Sequence, residues 1–342
     1  MTGVLASQQI SALIADGRLS AQKPILPEQV QPASLDLRLG NVAYRVRASF
    51  LAGHDCSVTE RLDEFEMHRI DLRDGAVLEK GCVYVVPLME VLDLPAGLQA
   101  VTNAKSSTGR LDLLTRTITD GGTEFDRIPA GYSGPLYAEI CPRSFSVLVR
   151  PGMRLNQIRF RDGQAVLGDD ELRALHASMP LVDDEPVIGD GLGFSVDLKP
   201  QSGTLVGYRA KPHTGVIDLD NIGGYDPAEY WEEVHSDNGR IILDPGAFYI
   251  LVSRPPMPLK WRPTWRWWGN SVCITRASST PDSAMTRPEA PGHAACWRCA
   301  ATKRPLCWST VRSSGGWSMR RWIRSPRSYT APESARITKA RG

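Results

Sequence analysis

Apolar and polar positions alternate with a period of two along much of the first 160 residues. Ser34-Leu35-Asp36-Leu37-Arg38-Leu39 shows it most clearly, and Gly40-Asn41 turns the chain directly afterwards. Cys82-Val83-Tyr84-Val85-Val86 is a β-branched run, and the pattern predicts further strands over 98–102, 136–140, 145–149 and 155–160. Pro95, Gly97, Gly131, Gly134, Pro142, Pro151 and Gly152 punctuate these runs. Two segments break the rule. Residues 6–15 carry Ile10, Leu13 and Ile14 at helical spacing, with Ser7 placed to cap the start and Gly17 to stop the end; 169–176 reads as a second helix. Short, evenly punctuated strands predict a mainly β fold, a sandwich, jelly roll or barrel with a short N-terminal helix.

The pattern repeats. Ser34-Leu35-Asp36-Leu37 returns as Ser195-Val196-Asp197-Leu198, 161 positions later. Residues 78–86 (Leu-Glu-Lys-Gly-Cys-Val-Tyr-Val-Val) return as 243–251 (Leu-Asp-Pro-Gly-Ala-Phe-Tyr-Ile-Leu), 165 positions later. Two matches in the same order at nearly the same offset predict a duplicated β domain. The expected division is a first domain over 1–180, the first part of a second copy over 181–254, and a tail over 255–342. The second copy is incomplete, because the alternation stops after about Val252.

Charge sharpens that last boundary. The 342 residues carry a net charge of +2, but 255–342 holds 16 basic and three acidic residues, a net of +13, which leaves −11 for 1–254. Eight of nine Trp and four of seven Cys also lie in the tail. Three readings compete there. A basic, Trp-bearing tail could bind nucleic acid. His293, Cys296, Cys299 and Cys307 have the spacing of a zinc knuckle. The third and preferred reading is a translation out of frame, which yields Arg, Pro, Ser, Trp and Cys without periodicity. Nucleic acid is therefore not expected as a partner. No apolar run approaches the roughly 18 residues of a membrane helix, and no secretory signal is read at the start, so the expected compartment is the cytoplasm.

Most catalytic signatures are missing. There is no phosphate loop of the G-x-x-x-x-G-K-[ST] type, no H-x-E zinc-deaminase signature and no G-x-S-x-G elbow. Two segments carry chemistry instead. Lys105-Ser106-Ser107-Thr108-Gly109-Arg110 places two cations around three hydroxyls and a glycine directly after a strand, a set that suits phosphate oxygens or a solvated turn. Glu139 lies in an apolar strand with Leu136, Ile140 and Cys141, where a carboxylate is either ion-paired or poised for proton transfer.

Together these segments resemble the dCTP deaminase branch of the dUTPase-like superfamily, in its long, duplicated bacterial form. The resemblance covers most of residues 1–165. It runs through Asp16-Gly17-Arg18-Leu19, Ser34 to Asn41, Lys105 to Leu111, Gly131-Tyr132-Ser133-Gly134 with Glu139, and Arg150-Pro151-Gly152-Met153 leading to Gln157. It implies hydrolytic deamination of dCTP to dUTP and ammonia. Glu139 would be general base and then acid, with Ser106 and Arg110 ordering the nucleotide and the water, and no zinc. Lys105, Ser107, Thr108 and Gly109 would hold the phosphates, with Mg²⁺ carried on the triphosphate. Tyr137 and Ala138 would read the base through their backbones, and Gln157 completes the binding set. The family implies a homotrimer with sites between subunits, or a pseudo-symmetric assembly of the fused copies.

The chain also departs from the family. Lys105 stands where Arg is usual, and the stretch between Arg116 and Pro129 is several residues longer than in the short enzymes. Pro129 replaces the usual Asp before the Gly-aromatic turn, leaving Asp120 or Asp126 as candidates for its role. That loss lowers the expectation of a dUTPase or of a bifunctional enzyme releasing dUMP and diphosphate. A non-catalytic nucleotide-binding regulator is the other alternative. Tyr208, Arg209 and Lys211 suit a closing segment over the triphosphate or a basic strand end, and His213 and His235 read as surface residues.

Overall fold

Alternation decides the architecture. In Ser34–Arg38, Leu35 and Leu37 face one way and Ser34, Asp36 and Arg38 the other. In Ser133–Pro142, Leu136, Ala138 and Ile140 face the core while Tyr137 and Glu139 face away from it. A computed structural model describes residues 3–163, 167–182, 185–193, 195–200 and 203–254, with short strands at 272–276, 311–313 and 316–318.

Two six-stranded sheets form the first half. One runs in the order Arg127–Ile128, Leu98–Ala104, Arg154–Asp162, Ser34–Arg38, Val30–Gln31, with Gly3–Val4 paired to Arg154–Asp162. The other runs Leu113–Thr119, Ser133–Pro142, Val83–Asp93, Val42–Val46, Glu66–Asp71, with Leu19–Ala21 paired to Val83–Asp93. Their inner faces share one core. Leu35, Leu37, Ala100, Ile158 and Phe160 of the first meet Tyr84, Val86, Leu88, Ala138 and Ile140 of the second. Burying each large apolar side chain contributes roughly 1.5–3 kcal/mol. Ile10 of the N-terminal helix Ser7–Ala15 joins this core.

A buried polar network ties the two sheets together. Arg38 Nε donates to Glu90 Oε1 at 2.8 Å and the Arg38 amide donates to Glu90 Oε2 at 2.8 Å. Gln29 Nε2 donates both to Glu90 Oε1 and to the Asp36 carbonyl, each at 2.9 Å. The remaining Arg38 N–H groups reach the carbonyls of Lys23 and Pro24.

The second half repeats part of the first. Val272–Arg276, Phe248–Arg254, Leu205–Ala210 and Trp231–His235 are neighbours in that order, as are Ser133–Pro142, Val83–Asp93, Val42–Val46 and Glu66–Asp71. A shared tyrosine clamp marks the duplication. Tyr84 Oη accepts from the Glu79 amide at 3.0 Å, and Tyr249 Oη accepts from the Asp244 amide at 3.0 Å. The second half also docks on the first. Ile217–Asp218 pairs in parallel with Val147–Val149. Phe145 packs edge-on against Tyr230 at 5.9 Å and Trp231 at 5.4 Å. Arg150 forms ion pairs with Asp218 at 2.7 Å and Asp220 at 2.9 Å. Ala210, Ile217, Tyr230 and Phe248 join the main core, so packing crosses the boundary expected at residue 180.

Several local expectations are amended. Gln9, not Ser7, satisfies the helix start, its Oε1 accepting from the Ala6 amide at 2.9 Å. Ser106–Arg110 is a short helix rather than an open turn. Helix Val58–Phe65, started by a reciprocal Ser57 and Glu60 pairing, was not expected; it is short and mostly polar. Val272–Arg276, in the segment read as patternless, pairs along the open edge of Phe248–Arg254; an unpaired strand edge accepts an extended segment through its backbone whatever the side-chain pattern. Most of 255–342 lies outside the described residues, and with it His293, Cys296, Cys299 and Cys307 and the three readings of the tail. Among the described residues no helix is long and apolar enough to cross a membrane.

Candidate active site

The pairing of Leu113–Thr119 with Ser133–Pro142 sets Arg116 directly opposite Glu139. Residues opposite each other on one face have Cβ atoms about 5 Å apart, within reach of an ion pair. Arg116 Nε donates to Glu139 Oε1 at 3.0 Å, and Nη2 donates to the same oxygen. Glu139 is 1 % exposed. Its second oxygen, Oε2, is buried and has no hydrogen-bond partner among the described residues. Arg116 is itself held from two more sides. Its Nη2 also donates to Ser49 Oγ at 3.0 Å, and its Cζ lies 3.7 Å from the centre of the Phe125 ring.

The extra residues between Arg116 and Pro129 build this side of the sheet. The Val58 amide donates to Asp120 Oδ1 at 2.7 Å, which seats helix Val58–Phe65. The Gly53 amide donates to the Gly122 carbonyl, and the Gly121 amide to the Cys56 carbonyl, both at 3.0 Å. Behind them Val46, Phe50, Ala52, Val58, Leu62, Val85, Ile118 and Tyr137 form a second apolar cluster, with Phe125 packed against it. The carboxylate therefore sits in a low-polarity wall with the Arg116 cation beside it.

The hydroxyl-rich segment is anchored elsewhere. The Lys105 amide donates to the Leu155 carbonyl at 2.9 Å, and Thr108 Oγ1 donates to the same carbonyl at 3.0 Å. Lys105 Nζ forms an ion pair with the buried Asp36 carboxylate. Gln157 stands in register between Asp36 and Asn103, and its Oε1 accepts from Ser34 Oγ at 3.1 Å. Thr108 and Gly109 are buried, Ser106 and Arg110 half-buried, and Ser107 exposed.

The predicted set thus divides in two. Lys105 and Gln157 gather around Asp36 on the outer face of one sheet; Glu139 pairs with Arg116 on the outer face of the other. Sheets stack about 10 Å apart, so the core lies between the clusters. Tyr137 places its ring in the second apolar cluster, its hydroxyl 3.3 Å from Thr59 Oγ1, and burial pushes the phenol pKa up. Ala138 faces the main core. Neighbouring strands flank both residues on either side.

The residues around Pro129 are committed to the scaffold. Asp126 Oδ1 accepts from Thr102 Oγ1 at 2.9 Å and from the Thr117 amide at 2.8 Å, bridging two strands at a positive φ of 64°. In the Gly-aromatic turn, Tyr132 Oη donates to the Pro135 carbonyl at 2.6 Å. A Cβ on Gly134, at φ 155°, would meet that hydroxyl at 2.8 Å, so the turn requires glycine. Tyr208 to Lys211 lie in or beside Leu205–Ala210, an inner strand of the sheet in the second half. There Lys211 Nζ donates to the Ala228 carbonyl at 2.6 Å and Arg209 pairs with Asp244 at 2.7 Å. His213 and His235 are exposed. Arg116, Phe125 and Asp36 were not singled out by the sequence; strand register and spacing, rather than any motif, carry them.

Comparison with known proteins bears on the family. Family models for the 2'-deoxycytidine 5'-triphosphate deaminase N-terminal and C-terminal domains match residues 1–164 and 168–260. The crystal structure of 2'-deoxycytidine 5'-triphosphate deaminase from Agrobacterium tumefaciens superposes with a TM-score of 0.72 at 52% identity, covering 75% of this chain and 78% of that one. The chain belongs to the dCTP deaminase family. A dCTP deaminase, dUMP-forming, of Nocardia farcinica is 32% identical over 158 residues, 45% of this chain and 74% of that protein. The dCTP deaminase, dUMP-forming, of Acidothermus cellulolyticus is 29% identical over 156 residues, 45% and 78% respectively. The family's mainly β fold is the one the alternation predicts.

Proposed function

We propose that this dCTP deaminase family member hydrolyses dCTP to dUTP and ammonia, with Glu139 moving the proton. The observation that carries the reading is a buried carboxylate with one oxygen fixed by Arg116 and the other without a hydrogen-bond partner among the described residues. Oε2 takes a proton from water as the oxygen attacks C4 of cytosine. The same proton then passes to the exocyclic nitrogen as the C4–N bond breaks, so one group serves as base and acid. Water activation is assigned to the carboxylate, without zinc. Ser106 and Arg110 order the nucleotide, and Lys105, Ser107, Thr108, Gly109 and Gln157 bind it together with the backbones of Tyr137 and Ala138, with Mg²⁺ entering on the triphosphate.

The two clusters lie on opposite outer faces of one sandwich, so a single nucleotide does not span both within one chain. This favours a site completed between copies, a homotrimer or a pseudo-symmetric assembly of the repeats. In this reading 1–180 is the catalytic unit, 181–254 the first part of the second copy and 255–342 an aberrant tail, and the enzyme works in the cytoplasm. Engagement of Asp120 and Asp126 in the scaffold favours deamination without triphosphate hydrolysis.

The test is to incubate the chain with dCTP and Mg²⁺ and separate the nucleotides. A dUTP peak with stoichiometric ammonia is expected. Accumulation of dUMP and diphosphate would make the enzyme bifunctional, as its relatives are named. Binding of dCTP without turnover would replace the reading with that of a nucleotide-binding regulator.

A further inference from the structure

We infer that Arg116 is the positioning residue for proton transfer: by holding Glu139 through Oε1 alone, it keeps Oε2 as the oxygen that exchanges the proton. The inference rests on the deaminase reading above and deepens it.

Three observations converge on the guanidinium. Both donating nitrogens end on the same carboxylate oxygen, so the carboxyl group is fixed in rotation while the lone pairs of Oε2 stay unspent. Nη2 is shared with Ser49 Oγ, which sets the plane of the fork. The Phe125 ring covers the guanidinium at 3.7 Å and supplies a cation–π contact where water would otherwise compete. Phe125 comes from the extra residues after Arg116, whose bonds to 53–58 fix that segment in place. The longer segment thus holds the cation that holds the base.

Arg116 exchanges no proton, since a guanidinium does not deprotonate in proteins. Water loses an O–H bond as Oε2–H forms, and Oε2–H breaks as the departing nitrogen gains its proton. Throughout, Arg116 supplies the fixed positive partner of Oε1. A lysine would keep the charge, but a single ammonium does not reproduce the planar fork.

The experiment compares Arg116→Met, Arg116→Lys and Arg116→Ala with the unaltered chain, measuring kcat and KM for dCTP. Misplacing a reacting group by about 1 Å costs on the order of 10²-fold, so Arg116→Met should lower kcat by about that factor with KM nearly unchanged. Added guanidinium ion should restore part of kcat to Arg116→Ala. In a Glu139→Gln background, Arg116→Met should cost nothing further. A raised KM at constant kcat would place Arg116 on the nucleotide and overturn the inference. So would equal losses in both backgrounds, or failure of guanidinium to rescue. If removing the cation unfolds the chain, Arg116→Lys carries the test: kcat should fall at least about tenfold with KM unchanged, and an unchanged kcat overturns the inference. An unaltered chain that does not deaminate dCTP overturns the functional reading itself, whereas an active chain indifferent to Arg116 overturns this inference alone.

Discussion

Arg116 and Glu139 face each other across two paired strands, and both donating nitrogens of the arginine meet one oxygen of the glutamate. The other oxygen is buried and has no hydrogen-bond partner among the described residues. Leaving a buried acceptor without a partner costs about 1–3 kcal/mol. Arg116 spends a single oxygen, and the proposed function gives the second to the chemistry.

Glu139→Gln tests the base directly. The amide oxygen still accepts from Arg116, so folding should persist while proton transfer fails. Ammonia release should fall by about 10²–10⁴-fold, the usual worth of a general acid–base group. A variant keeping a tenth of the activity or more would remove Glu139 from the mechanism.

Phe125→Leu keeps an apolar cover over the guanidinium but loses the ring face. A cation–π contact is worth about 0.5–2 kcal/mol, or about 2- to 30-fold in rate. The loss should appear in kcat and not in KM, in steady-state assays beside the unaltered chain.

Glu90→Ala tests the polar link between the two sheets. It leaves Arg38, buried alongside, without its carboxylate. Breaking a buried ion pair from one side costs about 3–5 kcal/mol. Urea unfolding should show the midpoint falling with little change in slope. A loss below about 1 kcal/mol would mean that the carbonyls of Lys23 and Pro24 suffice for Arg38.

Acid should loosen the contact between the halves. The Arg150 guanidinium beside Asp218, with a hydrogen bond donated by the Asp220 amide, holds the Asp218 carboxyl below its ordinary value. A depressed folded value stabilises above the unfolded pKa of about 3.9 and is lost as pH falls through the folded value. Hydrogen exchange of Val147–Val149 and Ile217–Asp218 should therefore accelerate below about pH 4. In Arg150→Ala the exchange should already be faster at neutral pH and respond less to acid.

Much of this was legible in the sequence because period-two alternation is a local signal. Leu35, Leu37, Ala138 and Ile140 lie inward as the pattern requires, and the repeat returned as a repeated strand order with a matching tyrosine clamp. Glu139 could be singled out because a lone carboxylate in an apolar strand is conspicuous. Its partner could not. Arg116 lies 23 positions away and meets Glu139 only through register, which local composition does not encode. Asp36 shows the same limit: its backbone position was read as strand, but its ion pair with Lys105 spans 69 positions. Helix Val58–Phe65 was missed because it is short and mostly polar, giving only Val58, Leu62 and Phe65 to a side cluster.

The tyrosine clamp bears on how labour is divided between the two halves. Val85 and Ile250 each follow a clamp tyrosine. The residue in register with Val85 is Glu139, and the residue in register with Ile250 is Ile274. The second copy keeps the hardware that fastens a strand, while a hydrocarbon stands where the first sets its carboxylate. In the proposed function the reagent stands on the first frame, and the clamp of the second serves the fold alone.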